Sequence, residues 1–231
     1  MITIAIAVLV KTPGLSPIKT RLAQSTIKPS NPISTSNTAA ANFYELAIAA
    51  LEYTLTELST NASVASPITA YWGVAEHRGL DHPLWARLDR LYGGKGNLGD
   101  CQHRLYQLLL ERYQRVLLLG SDSPQLSPQH LTKAIRALDN HHYCIGPSDD
   151  GGYYCIGGCR DIPHSVWTNV QYSSEKTAQQ LIDRLPSAPA ILRPLCDVDR
   201  PQDLSVLVRQ MPARPSPPQQ QIIDWVSGLA G

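Results

Sequence analysis

Two short acidic stretches and one basic stretch carry the side chains of this sequence best suited to chemistry. In "RVLLLGSDSPQLSP", residues 115–128, an apolar run ends at Gly120 and Asp122 follows between Ser121 and Ser123. A carboxylate at the end of a buried strand suits Mg²⁺ or Mn²⁺ on a diphosphate, because hard cations take oxygen ligands and commonly share them with phosphate. A turn or a helix cap would also account for an aspartate there. Ser127 is better placed to cap the next helix, however, and Gly120 lets the backbone bring the carboxylate close to a ligand. In "GPSDDGGYY", residues 146–154, Asp149 and Asp150 are adjacent, so in extended chain they face opposite ways. The two glycines after them suit a hairpin turn with solvated aspartates, and equally a close backbone approach to a sugar or phosphate. The basic stretch is "KTPGLSPIKTRLA", residues 11–23, where Lys11, Lys19 and Arg21 cluster in a loop after an apolar run. They suit a nucleotide diphosphate, whose charge they offset and which arginine grips with two parallel hydrogen bonds; solvated surface charge is the alternative.

Other chemistries lack their signatures. The phosphate-cradling pattern GxxxxGK[ST] is absent, and "YGGKGNLGD" (92–100) has no strong strand immediately before it to make a dinucleotide site. His141 and His142 have no partners at zinc-ligand spacing, and the serines beside Asp122 are not in a GxSxG elbow. Twenty Lys and Arg against nineteen Asp and Glu leave a net charge of +1, which gives no reason to expect nucleic acid as a partner. Five cysteines without paired CxxC spacing favour a reducing, cytoplasmic setting. "MITIAIAVLV" has no basic segment before it and is closed by Lys11, so neither a signal peptide nor membrane insertion is expected.

The elements that must position these groups follow from periodicity. Residues 2–10 and "RVLLLG" are apolar without alternation, as strands covered on both faces are, and "ITAYWGVA" (68–75), "HYCIGP", "YYCIGG" and "AILRPL" read as further strands. Helical spacing runs through 38–58 with Thr38 as N-cap, through "DCQHRLYQLLLERY", and through "SPQHLTKAIRAL" from Ser127 and Pro128. It recurs in "SSEKTAQQLIDRL", capped by Ser173 or Ser174, and in "RPQDLSVLVRQM" from Pro201, while "HPLWARLDRL" reads as a short helix or turn. Strands alternating with helices predict an α/β fold around a largely parallel sheet. Residues 23–37, rich in Ser, Thr, Asn and Pro, are expected as a mobile loop that closes over bound nucleotide, and 212–218 as a Pro-rich linker before a short helix.

Taken in order, "KTRLA", "GNLGD", "LLGSDSP", "GPSDDGGYYCIG", "QYSSE" and "LCDVDRPQDL" resemble the bacterial DUF2064 family over roughly residues 4–208. These are glycosyltransferase-A-like proteins of the nucleotide-diphospho-sugar transferase superfamily, related to 2-phospholactate guanylyltransferases and molybdenum-cofactor nucleotidyltransferases; some are labelled arsenosugar-biosynthesis glycosyltransferases. The resemblance implies a GT-A-like three-layer sandwich with a mostly parallel central sheet. A single nucleotide-sugar-binding domain would cover residues 1–211, with the linker and helix at 212–231. It places Lys11, Lys19, Arg21, Gly96, Gly99 and Ser121 on the nucleotide phosphates, Asp122 on a divalent metal and in catalysis, and Asp150 in catalysis as base or second ligand. Asp149, Gly151, Gly152, Tyr153, Ser173 and Ser174 would face donor or acceptor. This chain departs from the family at Leu15 and Ser16 (usually Pro-Gly), Asn97 (usually Asp), Cys101 (usually Arg) and Tyr172–Ser174 (usually Trp-Ser-Thr).

The function so implied is metal-dependent transfer of a glycosyl group from a nucleotide-activated sugar to a small-molecule acceptor. Nucleotidyl transfer to a phosphorylated small molecule, and nucleotide binding without turnover, are the alternatives. A homodimer is compatible with the resemblance.

Overall fold

The computed structural model describes residues 1–23, 37–60 and 66–229, so the loop expected to close over nucleotide lies outside the described residues except at its two ends. The first apolar run forms strand β1 (Ile4–Val10), buried throughout except at Leu9. Its side chains divide by parity. Ile4, Ile6, Val8 and Val10 join Tyr44, Ile48, Leu51 and Leu55 in one core, and Ala5 and Ala7 join Leu105, Tyr106 and Leu109 in another. A strand with two apolar faces needs a layer on each, which is why it shows no alternation.

The short helix α1 (Thr20–Ala23) and the long helix α2 (Asn37–Thr60) follow, then β2 (Ile68–Val74), β3 (Asp89–Tyr92), α3 (Leu98–Leu110) and β4 (Arg115–Leu119). Next come α4 (Pro128–Ala137), β5 (Tyr143–Pro147), β6 (Tyr153–Gly158), α5 (His164–Thr168) and α6 (Thr177–Arg184). The chain closes with β7 (Ala190–Ile191), α7 (Pro201–Gln210) and α8 (Pro217–Gly228). The strands form one sheet in the order β3-β2-β1-β4-β6-β5-β7, and every pairing is parallel except the two made by β6. Residues of α2 and α4 fill the core on one face, and those of α3, α5 and α6 the core on the other. The result is the α/β three-layer architecture with a mostly parallel sheet.

The chain winds outward from β1 through β2 to β3, then returns to place β4 on the other side of β1. Loops leaving the carboxyl ends of β1 and β4 therefore diverge, and such a switch point opens a crevice in which ligands bind.

Several local expectations are corrected. In "HPLWARLDRL" only Pro83–Trp85 turns helically, and Asp89–Tyr92 is an edge strand held by its ladder to Tyr71–Val74 rather than by any strand pattern of its own. Thr38 lies inside α2, which already includes Asn37. Helix α6 starts at Thr177, because the Ser174 hydroxyl turns back to accept the Lys176 N–H (3.3 Å) and the Thr177 hydroxyl donates to the Ser174 carbonyl (2.7 Å). After residues 212–216 the chain docks again. In α8, Ile222 is buried, Trp225 lies 5.6 Å from Phe43 between ring centroids, and the Gln219 amide donates to the carbonyls of Pro124 (3.0 Å) and Leu126 (2.9 Å).

Candidate functional site

The carboxyl ends of β1 and β4 are fixed before any functional side chain is considered. At the end of β1 the Lys11 carbonyl accepts the Tyr44 hydroxyl (2.8 Å), and the Thr12 N–H donates to Glu76 Oε2 (2.8 Å) beyond β2. Burial pushes the Tyr44 phenol above its ordinary range, so it stays protonated and keeps donating. At the end of β4, the Ser123 hydroxyl and the Gln125 amide both donate to the Cys196 carbonyl (3.0 and 2.7 Å), and the Val198 N–H donates to the Asp122 carbonyl (3.1 Å). These bonds lace "LCDVD", residues 195–199, against the loop that carries Asp122.

Lys19 enters this junction from α1's start with φ of 49°, a left-handed conformation that costs a lysine energy and persists only where its surroundings hold it. Its side chain is only 3% exposed; the ammonium lies 2.6 Å from Asp122 Oδ1, donates to the Val198 carbonyl, and sits 5.7 Å from the centre of the Phe43 ring. Arg21, more exposed, pairs with Asp199 at 2.7 Å. The expected basic pair is therefore at the site, with each cation bound to a carboxylate.

The tight turn after β5 supplies Asp150. Its Oδ1 accepts the Ser148 hydroxyl (2.6 Å) and the Gly152 N–H (2.9 Å), so the side chain closes its own turn. Gly151 has φ of 87°, and a Cβ there would lie 2.1 Å from the Glu175 carbonyl oxygen; only glycine fits where this turn meets the segment before α6. Asp149 goes the other way, its N–H to Leu195 O (3.1 Å) and its carboxylate toward Gln210 Nε2 (3.5 Å).

Asp150, Asp197 and Asp199 bring one carboxylate oxygen each to within 4.8 Å of one another. Asp197 is raised from 3.8 to about 8, first by burial and then by the Asp122 carboxylate, with Asp150 and Asp199 adding to the effect and Lys19 opposing it. Without a further cation, this cluster retains a proton well above the usual carboxylate range. A set of hard oxygen donors with surplus negative charge fits a divalent cation such as Mg²⁺ or Mn²⁺.

The structure thus gathers Lys19, Arg21, Asp122 and Asp150, with Ser121 donating to Asp122 Oδ1 (3.3 Å). Asp197 and Asp199 were not singled out in sequence. The signal was there: two aspartates at i and i+2 in extended chain point to the same side, and "DVD" lies in the segment between the last strand and α7. Other expected positions have local roles. Asn97 and Asp100 cap α3 reciprocally (3.0 Å each), Gly96 precedes them with φ of 128°, and Gly99 packs where a Cβ would be 2.4 Å from the Trp167 carbonyl. Tyr153 turns its hydroxyl to Gln102 Oε1 (2.7 Å), Ser173 adopts φ of 57° beside Ser174, and Lys11 is exposed. Where the family usually carries an arginine, Cys101 faces the Gly94 carbonyl (3.4 Å), and Arg104, one turn on, holds the loop through the carbonyls of Gly93 (2.8 Å) and Lys95.

Comparison with known proteins agrees with this architecture. The model of a family described as "Uncharacterized protein conserved in bacteria (DUF2064)" matches residues 54–174, slightly more than half of the chain and including Asp122 and Asp150. No curated protein sequence matches significantly. Among solved structures, a candidate nucleotide-diphospho-sugar transferase from Desulfovibrio desulfuricans G20 superposes with a TM-score of 0.78 at 23% identity, covering 100% of this chain and 97% of that one. The 4-diphosphocytidyl-2C-methyl-D-erythritol synthase of Anaerococcus prevotii DSM 20548 superposes with a TM-score of 0.54 at 11% identity, covering 98% of each chain. At these identities the likeness is one of fold.

Proposed function

The chain belongs to the DUF2064 family, and on that premise we propose that it is a metal-dependent transferase that takes a glycosyl group from a nucleotide-activated sugar to a small-molecule acceptor. The observation that carries this reading is the acidic cluster: three carboxylates drawn together at the carboxyl edge of the sheet, beside the β1/β4 switch point, with Asp122, Lys19 and Arg21 around them. Asp150, Asp197 and Asp199 are the residues that would hold the cation, and Asp122 completes the acidic set. A divalent cation held there would supply positive charge to offset that of a diphosphate leaving group.

The chain's own residues have separate tasks in this reading. Lys19 is buried and already engaged, so it neutralises Asp122 and anchors residues 197–199, and does not itself reach for phosphate. Arg21 is the more exposed cation and exchanges Asp199 for a phosphate oxygen when nucleotide arrives, because its planar fork binds either partner. In the transfer, an acceptor hydroxyl oxygen forms a bond to the anomeric carbon while the bond to the diphosphate breaks; the nucleoside diphosphate departs with the bonding pair, and the hydroxyl proton passes to water. Preorganised charge at the leaving group is the largest contribution such a site offers.

Nucleotidyl transfer is the second reading, supported by the fold shared with a 4-diphosphocytidyl-2C-methyl-D-erythritol synthase. The test is a product assay across nucleotide sugars and nucleoside triphosphates with Mn²⁺ or Mg²⁺. Release of nucleoside diphosphate from a nucleotide sugar supports the proposal. Pyrophosphate release from a triphosphate with a phosphorylated acceptor, and no turnover of any nucleotide sugar, overturns it in favour of the second reading. Nucleotide binding without either product leaves a binding protein.

A further inference from the structure

A second cavity, of about 850 Å³, opens on the α2/α4 side of the same sheet edge, between the start of α4, the chain after β7, and the segment joining α7 to α8. Its wall carries Lys133 and His130 from α4, Arg193 from beyond β7, and Arg214 from the joining segment, against Glu57 as its acidic residue. Among the described residues none of Lys133, Arg193 and Arg214 is ion-paired, so no carboxylate already occupies the three cations of this wall. In a chain that balances twenty basic residues with nineteen acidic ones, a wall with three cations against one carboxylate is a local excess of positive charge. Three cations from three separate elements line one space, and an anion held in it is attracted by each of them.

We propose that this cavity binds a small molecule carrying two or more negative charges, a phosphate monoester or a polycarboxylate, as a site separate from the acidic cluster. Recognition here belongs to side chains and not to helix ends. Pro128, Pro217 and Pro218 have no N–H, the Ser127 N–H donates to His130 Nδ1 (3.2 Å), the His130 N–H to Ser127 O (3.0 Å), and the Gln219 N–H to Ser216 Oγ (3.4 Å). Long, unpaired cations with few fixed backbone donors around them suit a ligand whose charges are spread over several oxygens. His130 reports their field: it is held below the usual histidine range, first by burial and then by Lys133 and Arg193.

Through Gln210 the cavity also reaches the chain neighbours of the acidic cluster. Gln210 lines it, accepts the Cys196 N–H on Oε1 (2.7 Å), and directs Nε2 toward Asp149 (3.5 Å). An occupant therefore meets the back of the segment that presents Asp197. The site stands or falls independently of the transferase reading.

The test is calorimetric titration of the full chain, freed of divalent metal on a chelating resin, with glycerol 3-phosphate in one arm and citrate in the other. We expect saturable binding of at least one of them, with a Kd of about 1 mM or tighter at low salt, weakening several-fold toward physiological ionic strength. Lys133→Ala combined with Arg193→Ala, both exposed and so compatible with folding, weakens it about tenfold or more. The arm that binds identifies the anion class. Absence of saturable binding in both arms, or binding that persists undiminished in a folded double variant, overturns the proposal.

Discussion

Asp197→Asn should make the metal-free protein more stable while removing its response to metal. Asp197 is raised from 3.8 to about 8, so between those values the folded protein keeps a proton that the unfolded chain has lost. Stability is therefore full below about pH 4 and falls as the pH rises toward 8. At about 1.4 kcal/mol per unit, the whole shift corresponds to about 6 kcal/mol. Asp197 is partly exposed, so solvent screening reduces this to about 2–3 kcal/mol. Asparagine has nearly the same shape and cannot ionise, so the variant does not pay this penalty. The gain converts to a rise in Tm of about 4–12 °C at pH 8 for a chain of this size, and to little difference near pH 4.5. The assay is scanning calorimetry of parent and variant in metal-free buffer at both pH values, repeated with Mn²⁺. The parent should gain about 2.7 kcal/mol at one hundred times its Kd for the ion, and the variant almost nothing. A variant less stable than the parent at pH 8 without metal, or one that keeps the parent's Mn²⁺ response, would refute the electrostatic account of this cluster.

Three further outcomes are expected. Lys19→Met leaves Asp122 and the Val198 carbonyl without their buried cation and should cost about 3 kcal/mol in urea unfolding; an unchanged midpoint would mean that the pair contributes no net stability. Gly151→Ala sets a side chain against the Glu175 carbonyl at positive φ and should cost about 2 kcal/mol or more, with Mn²⁺ affinity falling as Asp150 shifts; wild-type stability and affinity together would show that this turn yields freely. Ile222→Ala hollows the contact of α8 with α2 and should cost about 2–4 kcal/mol, with new proteolytic cleavage near residues 212–216; unaltered stability would place α8 outside the cooperative unit.

Much of the fold was legible from the chain alone because it rests on local periodicity. The unalternating runs at Ile4–Val10 and Arg115–Leu119 must lie between two layers, and the three- and four-residue spacing in Asn37–Thr60 must turn one face to a core. Lys19, Arg21, Asp122 and Asp150 were legible as polar groups beside turn-forming glycine and proline near strand ends. What sequence could not contain is who meets whom. Asp89–Tyr92 is a strand because β2 offers it a ladder, and the reversed β6 follows from hairpin geometry joined to long-range pairing with β4. Asp197 lies 75 positions after Asp122, and no local pattern states that the Cys196 carbonyl will accept Ser123 and Gln125 and so bring the two carboxylates together. Lys19 is a similar case: its type and place announce a cation for phosphate, but burial against Asp122 and Val198 makes it the counter-charge of an acidic cluster. The side chain's charge is a property of the residue, whereas its partner and its solvation are properties of the packed chain, and it is these that set what the charge can do.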